Sequence, residues 1–321
     1  MQYVTLGRTG LHVSVAGLGC GGHSRLGLST GHDEDHAVRV IRAAIDLGIN
    51  YIDTAEGYAN EHVVGRALAE AGPAAQRVIV SSKTSARRRD ESAAETGPPR
   101  LATADDILTS LEASLKKLRR ERIDVYHVHG LSAEAYAHAA AEIVPALHKA
   151  RDAGKIAHLA VSERFETEPA HDMLKLAVED DLFDVWMVGF NLLNFSARPL
   201  LERAAAKGVG VELMFAVRQA LSRPARLGEV LRELQARGQI TPDAAGDDLA
   251  FLTAPGVAGT LQEAAYRFCR HEPNTHVTLF GTGSLEHLKA NVAAILAGPL
   301  PQETVQEIER RFGRVDSVSG S

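Results

Sequence analysis

Residues 48–58 read GINYIDTAEGY, and the reading of the whole chain turns on them. Gly48 closes a helix, Ile49 to Asp53 form a β-branched apolar strand, and a turn at Gly57 then presents the phenol of Tyr58. A buried strand carries charge at its end only where something uses it. Asp53 alone would serve equally well as the cap of the next helix, so its weight comes from residues further down the chain.

The same phrase, a helix ending in Gly and then a short apolar strand, recurs as DAGKIAHLAVS at Gly154 and AKGVGVELMF at Gly208. Units of this kind predict a parallel sheet with helices outside it. Working outward, residues 3–13 form a hairpin with its turn at Gly7 to Gly10, and strand one covers Val13 to Leu18. A helix over Asp33 to Leu47 places Ala37, Ile41, Ala44 and Ile45 on one face. Further strands are expected at Val78 to Ser82, in IDVYHVH up to His129, at Ile156 to Val161, Val185 to Val188, Val209 to Met214 and His276 to Phe280. Thr103 and Asp106 form a capping box. With strand two that makes eight βα units, and eight units close into an α/β, (β/α)8 TIM barrel with an N-terminal β-hairpin and an extra C-terminal helix beyond Pro301. The expectation is a single domain over residues 1–321, with a flexible tail at about 313–321.

Composition narrows the class. The 321 residues are 45% hydrophobic and 24% charged with a net charge of −6, as befits a globule with a large core. No basic stripe recommends nucleic acid, and no apolar run of about 18 residues recommends a membrane. Cys20 and Cys269 make no disulfide framework, which together with the missing signal core points to the cytoplasm.

Strand ends carry the chemistry of such a barrel. Asp53, Lys83 and His129 lie at the ends of strands two, three and four, with Tyr58 in the loop after strand two. Four ionisable groups from separated positions in the sequence therefore converge on one rim.

Two rival patterns are present. Gly17, Gly19 and Gly22 match G-x-G-x-x-G, but HSRLGLSTG occupies the place where a dinucleotide-binding helix would have to open. His127 and His129 share one face of their strand and would suit a metal-dependent barrel hydrolase, yet the later strand ends offer only Ser162, Asn191, Met214 and Gly281 as further ligands.

In the order and context of INYIDTAEGY, VIVSSKT, IDVYHVH, GKIAHLAVS and LFGTGSLEHLKAN, the sequence resembles the aldo-keto reductases over essentially its whole length. The resemblance implies an oxidoreductase that interconverts a carbonyl (aldehyde, ketone or sugar) and its alcohol with NAD or NADP, with Tyr58 as acid and base, Lys83 lowering the pKa of the phenol, Asp53 holding the ammonium and His129 orienting the carbonyl oxygen. It implies a nicotinamide beside Gly21 and Gly22, with Asp53 close by, and a carboxamide held by Ser162 and by Glu163, where an Asn is usual. Met187 aligns with a common Gln. Met214, next to Phe215, aligns with a stacking aromatic, and Arg218 is a candidate pyrophosphate partner. Gly281, Thr282, Gly283 and Ser284 would receive phosphate and Asn291 adenine. His287 stands where members preferring the phosphorylated cofactor carry Arg, so NAD is expected to be accepted.

A nicotinamide-binding barrel without turnover, acting as a redox-sensing or regulatory partner, is the alternative of another class. Substrate choice is expected from loops 23–32, 84–102 and 217–247. Arg87, Arg88 and Arg89 in the second of these are either a solvated charge cluster or a reception site for an anionic substrate.

Overall fold

The computed structural model describes residues 1–88, 99–241 and 249–321. Its strands in chain order are β1 (Tyr3–Thr5), β2 (His12–Ser14), β3 (Ala16–Gly19), β4 (Tyr51–Asp53), β5 (Ile79–Ser85), β6 (Arg87–Arg88), β7 (Arg100–Leu101), β8 (Ile123–Leu131), β9 (Ile156–Glu163), β10 (Val185–Gly189), β11 (Gly210–Met214) and β12 (Val277–Phe280). Eight of them close into a parallel barrel in the order β3-β4-β5-β8-β9-β10-β11-β12, with β12 returning to β3. The barrel expected from the alternating units is therefore the fold.

The local devices act as the residue types demand. Gly48, Gly154 and Gly208 all sit at positive φ, between +71° and +89°, where a side chain would be strained. Thr103 and Asp106 form the capping box of the helix Ala104–Leu118. The helix Glu34–Asp46 buries Ala37, Ile41, Ala44 and Ile45 against the barrel, and Asp33 caps it by accepting the His36 amide at 2.8 Å. Beyond the barrel, the helix Gln302–Phe312 buries Ile308 and Phe312.

The hairpin β1–β2 plugs the N-terminal end. Leu6 and Val13 pack with Tyr51, Val125, Val185 and Val277 in the barrel interior, and the Arg8 amide donates to the Gly208 carbonyl at 2.5 Å. A Cβ on Gly7 would collide with the Gly210 backbone, so only glycine allows this approach.

Two stretches differ from the sequence reading. The run after Lys83 is not all loop: β5 continues to Ser85 and β6 pairs with β7. Within it Arg87 pairs with Glu134 and Arg88 with Glu56, while Arg89 and Pro98 lie outside the described residues. The expected flexible tail at 313–321 is instead laid against the C-terminal mouth of the barrel. Val318, Ser319 and Gly320 are buried, and the Gly320, Ser319 and Val318 carbonyls accept from the Ala220 amide (2.9 Å), Asn191 Nδ2 (3.0 Å) and Asn194 Nδ2 (2.8 Å). Polar composition suggested solvent, but buried asparagines at the mouth need partners and the segment's backbone supplies them.

No helix among the described residues is long and apolar enough to cross a membrane.

Candidate active site

Asp53 ends β4, Lys83 lies near the end of β5, and His127 and His129 alternate along β8, so all four project into the barrel. Asp53 and Lys83 are almost wholly buried, and Lys83 Nζ donates to Asp53 Oδ1 at 2.5 Å and to the Thr54 carbonyl at 2.9 Å. Ser81 adds a hydrogen bond to the same carboxylate oxygen at 2.8 Å. Burial works against the Lys83 ammonium, but Asp53 and then Tyr58 more than offset it and hold its pKa above the ordinary lysine value. Asp53 is raised, because burial outweighs what Lys83 and Ser81 return.

Tyr58 ends a short 3-10 turn, Glu56–Tyr58, and is partly exposed at the mouth. Lys83 Nζ lies 5.0 Å from its ring centroid, and the His129 ring meets it edge-on at 5.6 Å and 87°. The four residues anticipated from separate parts of the sequence therefore converge. Lys83 lowers the Tyr58 pKa as anticipated, but the net direction is upward because burial is the larger effect. His129 is held down to about 3 by burial and by Lys83, which leaves it a neutral imidazole at any ordinary pH.

The turn bearing Tyr58 has its own anchor. Glu56 accepts from Thr84 Oγ1 at 3.0 Å, Arg88 Nη1 at 2.9 Å and Ser110 Oγ at 3.0 Å. Sequence reading gave Arg88 to solvent or to substrate. Its actual partner is the residue two before Tyr58, at a sequence separation that no local pattern reveals.

The residues expected around a nicotinamide cofactor divide into two groups. Gly281 is exposed on the rim, and the Thr282 and Ser284 hydroxyl oxygens accept the Ser284 and His287 amides at 3.0 and 3.2 Å, so the helix Leu285–Leu296 opens with its N-terminus beside the turn. His287 is exposed and Asn291 half-buried on that helix. A Cβ on Gly283 would fall 2.5 Å from Gly27, which places the loop after β3 directly against this turn. Gly21 lies over the Tyr58 ring, and Gly22 has a positive φ of 73° with open space before it. These features fit an anionic, planar cofactor along the mouth.

The second group is already engaged by protein. Ser162 Oγ accepts the Gly130 amide at 2.8 Å. Glu163, expected at the carboxamide, is 3% exposed and accepts the Gly189 amide at 2.8 Å and His171 Nδ1 at 3.0 Å. Arg218, the candidate pyrophosphate partner, pairs with Glu166, donates to Ser321 Oγ at 3.1 Å and stacks 4.0 Å from the Phe215 ring centroid. Met187 is 3% exposed within the barrel, and Met214 is half-buried at the end of β11.

Sequence reading missed Glu212, a fully buried carboxylate on β11 that accepts the Tyr51 hydroxyl. Its signal was a lone acid in the apolar strand GVELM, in phase with Gly210 and Met214. Among the described residues no group of three or more His, Cys, Asp or Glu is placed to hold a metal ion, so His127 and His129 find no ligand set there.

The sequence profile of the aldo/keto reductase family matches residues 17–311. An aldo-keto reductase of Bacillus subtilis, YhdN, is 35% identical over 167 residues, which are 50% of this chain and 47% of that protein, so the chain matches about half the length of this relative. An uncharacterized oxidoreductase of the same organism, YqkF, is 24% identical over 96% of both chains. Among solved structures, the holo form of the aldo-keto reductase AKR11C1 from Bacillus halodurans superposes with a TM-score of 0.72 at 25% identity, over 99% of this chain and 98% of that one. With a closed barrel and a Tyr–Lys–Asp–His cluster at its mouth already in place, a match of this extent shows that the chain belongs to the aldo/keto reductase family.

Proposed function

We propose that the protein is a nicotinamide-dependent oxidoreductase that interconverts a small aldehyde, ketone or sugar and its alcohol, with Tyr58 as the acid and base. The observation that carries this reading is the convergence on Tyr58 of the Lys83 ammonium, 5.0 Å from its ring, and the neutral His129 ring at 5.6 Å. A reduced nicotinamide held along the mouth would supply the hydride.

The chain's own residues manage the proton and the oxygen. With its pKa raised by burial, Tyr58 keeps its proton at neutral pH and is ready to give it to an alkoxide. Lys83, fixed by Asp53 and the Thr54 carbonyl, then stabilises the phenolate that remains. His129, neutral over the working range, donates a ring N–H to the carbonyl oxygen without adding a pH dependence of its own. In the oxidative direction the same phenol must first lose its proton, so turnover in that sense rises toward alkaline pH.

Gly281 to Ser284 with the following helix would hold phosphate, Gly21 and Gly22 would flank the nicotinamide, and Asn291 would meet adenine. His287 offers no guanidinium fork to a ribose phosphate, so NAD is accepted. A cytosolic setting suits two buried, unpaired cysteines.

The test is a panel of carbonyls and alcohols read by reduced-cofactor absorbance, with wild type beside Tyr58→Phe. The variant loses about 10²- to 10⁴-fold in turnover while still binding cofactor. Equal turnover in the two proteins removes Tyr58 from the chemistry, and cofactor binding without turnover in wild type supports the silent-barrel alternative. Affinities for NAD and NADP settle the cofactor, and a strong preference for the phosphorylated form overturns the reading of His287.

A further inference from the structure

Beneath the tetrad the barrel holds a second set of polar side chains that the proposed chemistry leaves unused. Glu212 on β11 is fully buried, its Oε1 accepts the Tyr51 hydroxyl, and the same oxygen stands 3.6 Å from His127 Nε2. Glu212 Oε2 and His127 Nε2 are both buried without a hydrogen-bond partner. A pair of orphaned polar atoms this deep in a packed interior is costly unless a proton lies between their owners.

Donor accounting locates that proton. Ser81 has one hydroxyl hydrogen and gives it to Asp53 Oδ1 at 2.8 Å, so toward His127 Nδ1, 3.3 Å away, Ser81 is an acceptor. His127 Nδ1 therefore carries the ring hydrogen. Burial first, then the charge of Lys83, keep the ring neutral against a hydrogen bond to the Ser82 backbone, which leaves Nε2 as a bare lone pair facing Glu212. An ionised carboxylate there would set lone pair against lone pair between two fully buried groups, whereas a carboxylic acid turns an O–H toward the ring nitrogen across 3.6 Å.

Resting on the reading of Tyr58 as acid and base, we propose that Glu212 is a neutral carboxylic acid in the barrel interior, its proton directed at His127 Nε2, and that the chain Glu212–His127–Ser81–Asp53 is a positioning device that sets the charge around Lys83 and thereby the proton affinity of Tyr58. The charged and titratable groups facing Glu212 are Tyr51 and Asp53 from β4, Lys83 from β5 and His127 from β8. Its register neighbours on β10 and β12, Met187 and Val277, are uncharged. Burial and Asp53 push Glu212 up to about 8 against the pull of Tyr51 and Lys83. Once ionised, Glu212 strengthens the hold of Lys83 on its proton and adds negative charge below the tetrad, which opposes formation of the Tyr58 phenolate.

Glu212→Gln keeps an acceptor for Tyr51 and a donor for His127 but cannot ionise. Infrared spectra of wild type at neutral pH show a protonated-carboxyl stretch that is absent from Glu212→Gln and fades as the pH passes about 8. In the oxidative direction, the rising limb of kcat/KM in Glu212→Gln lies at lower pH than in wild type by about half a unit. The proposal fails if wild type lacks that stretch at neutral pH or if the two pH profiles superimpose. Where Glu212→Gln does not fold, nitrogen NMR of wild type decides: His127 protonated at Nδ1 supports the proposal, and protonation at Nε2 overturns it. Tyr58→Phe run alongside separates the two readings, because unchanged turnover there removes Tyr58 from the chemistry while the infrared band still reports on Glu212.

Discussion

A methyl group on Gly21 would stand 2.5 Å from Cζ of Tyr58, so the bare backbone of one residue makes the space that the phenol of the other occupies. No other heavy-atom contact at Gly21 is as close, and the ring cannot yield without leaving Lys83 and His129. Gly21→Ala is therefore expected to lower kcat by about 10²-fold, the scale of a misplaced catalytic group, while leaving the barrel folded. Circular dichroism and steady-state kinetics check it. A variant with native turnover would show that the ring moves aside at no cost.

Lys83 and Asp53 form a buried pair, and removing one partner strands the other. Lys83→Met leaves the Asp53 carboxylate with Ser81 alone and is expected to cost about 3–5 kcal/mol of stability along with most of the turnover. Combining it with Asp53→Asn recovers much of the stability and none of the activity. Denaturant unfolding beside kinetics tells the structural from the chemical part.

His129 links stability to acid. Its ordinary pKa of 6.5 is brought down to about 3 in the folded protein, so below about 6.5 the unfolded chain takes up a proton that the folded chain refuses. The stability contributed by neutral His129 is present above 6.5 and is lost as the pH falls toward 3. Thermal melts across that window fall less steeply for His129→Gln than for wild type. Parallel slopes would mean that the imidazole is freely protonated in the native state.

Glu56 ties the Tyr58 turn to Arg88, Thr84 and Ser110 without touching the phenol's partners. Arg88→Ala releases one arm of this anchor and is expected to lower kcat about three- to tenfold with a loss of about 1–2 kcal/mol in stability. Stopped-flow turnover and melting curves measure both. A larger stability loss with unchanged kcat would place Arg88 in the scaffold alone.

Much of this was legible in the chain. The strands appear because β-branched runs such as VIVSS sit between helices that end in glycine, and those signals are local. Asp53, Lys83 and His129 were readable because a charged residue at the end of an apolar strand stands out, and Tyr58 because it comes just after one of those ends. The partners of Arg88 and Glu163 are not legible in the sequence for a common reason: Glu56 in one case and His171 and Gly189 in the other come from elsewhere in the chain, and which charge finds which is decided by packing.

The sequence by itself determined the alternation of strand and helix, the barrel that alternation closes into, and the identity of four groups at its mouth, since periodicity, capping and turn chemistry act over a few residues at a time. Only the tertiary structure decided that burial outweighs Lys83 at Tyr58, that residues 318–320 cover buried asparagines at the rim, and that Glu212 faces His127 across the interior. Proton affinity and pairing depend on what surrounds a side chain in space, and strands far apart in sequence meet only when the cylinder closes.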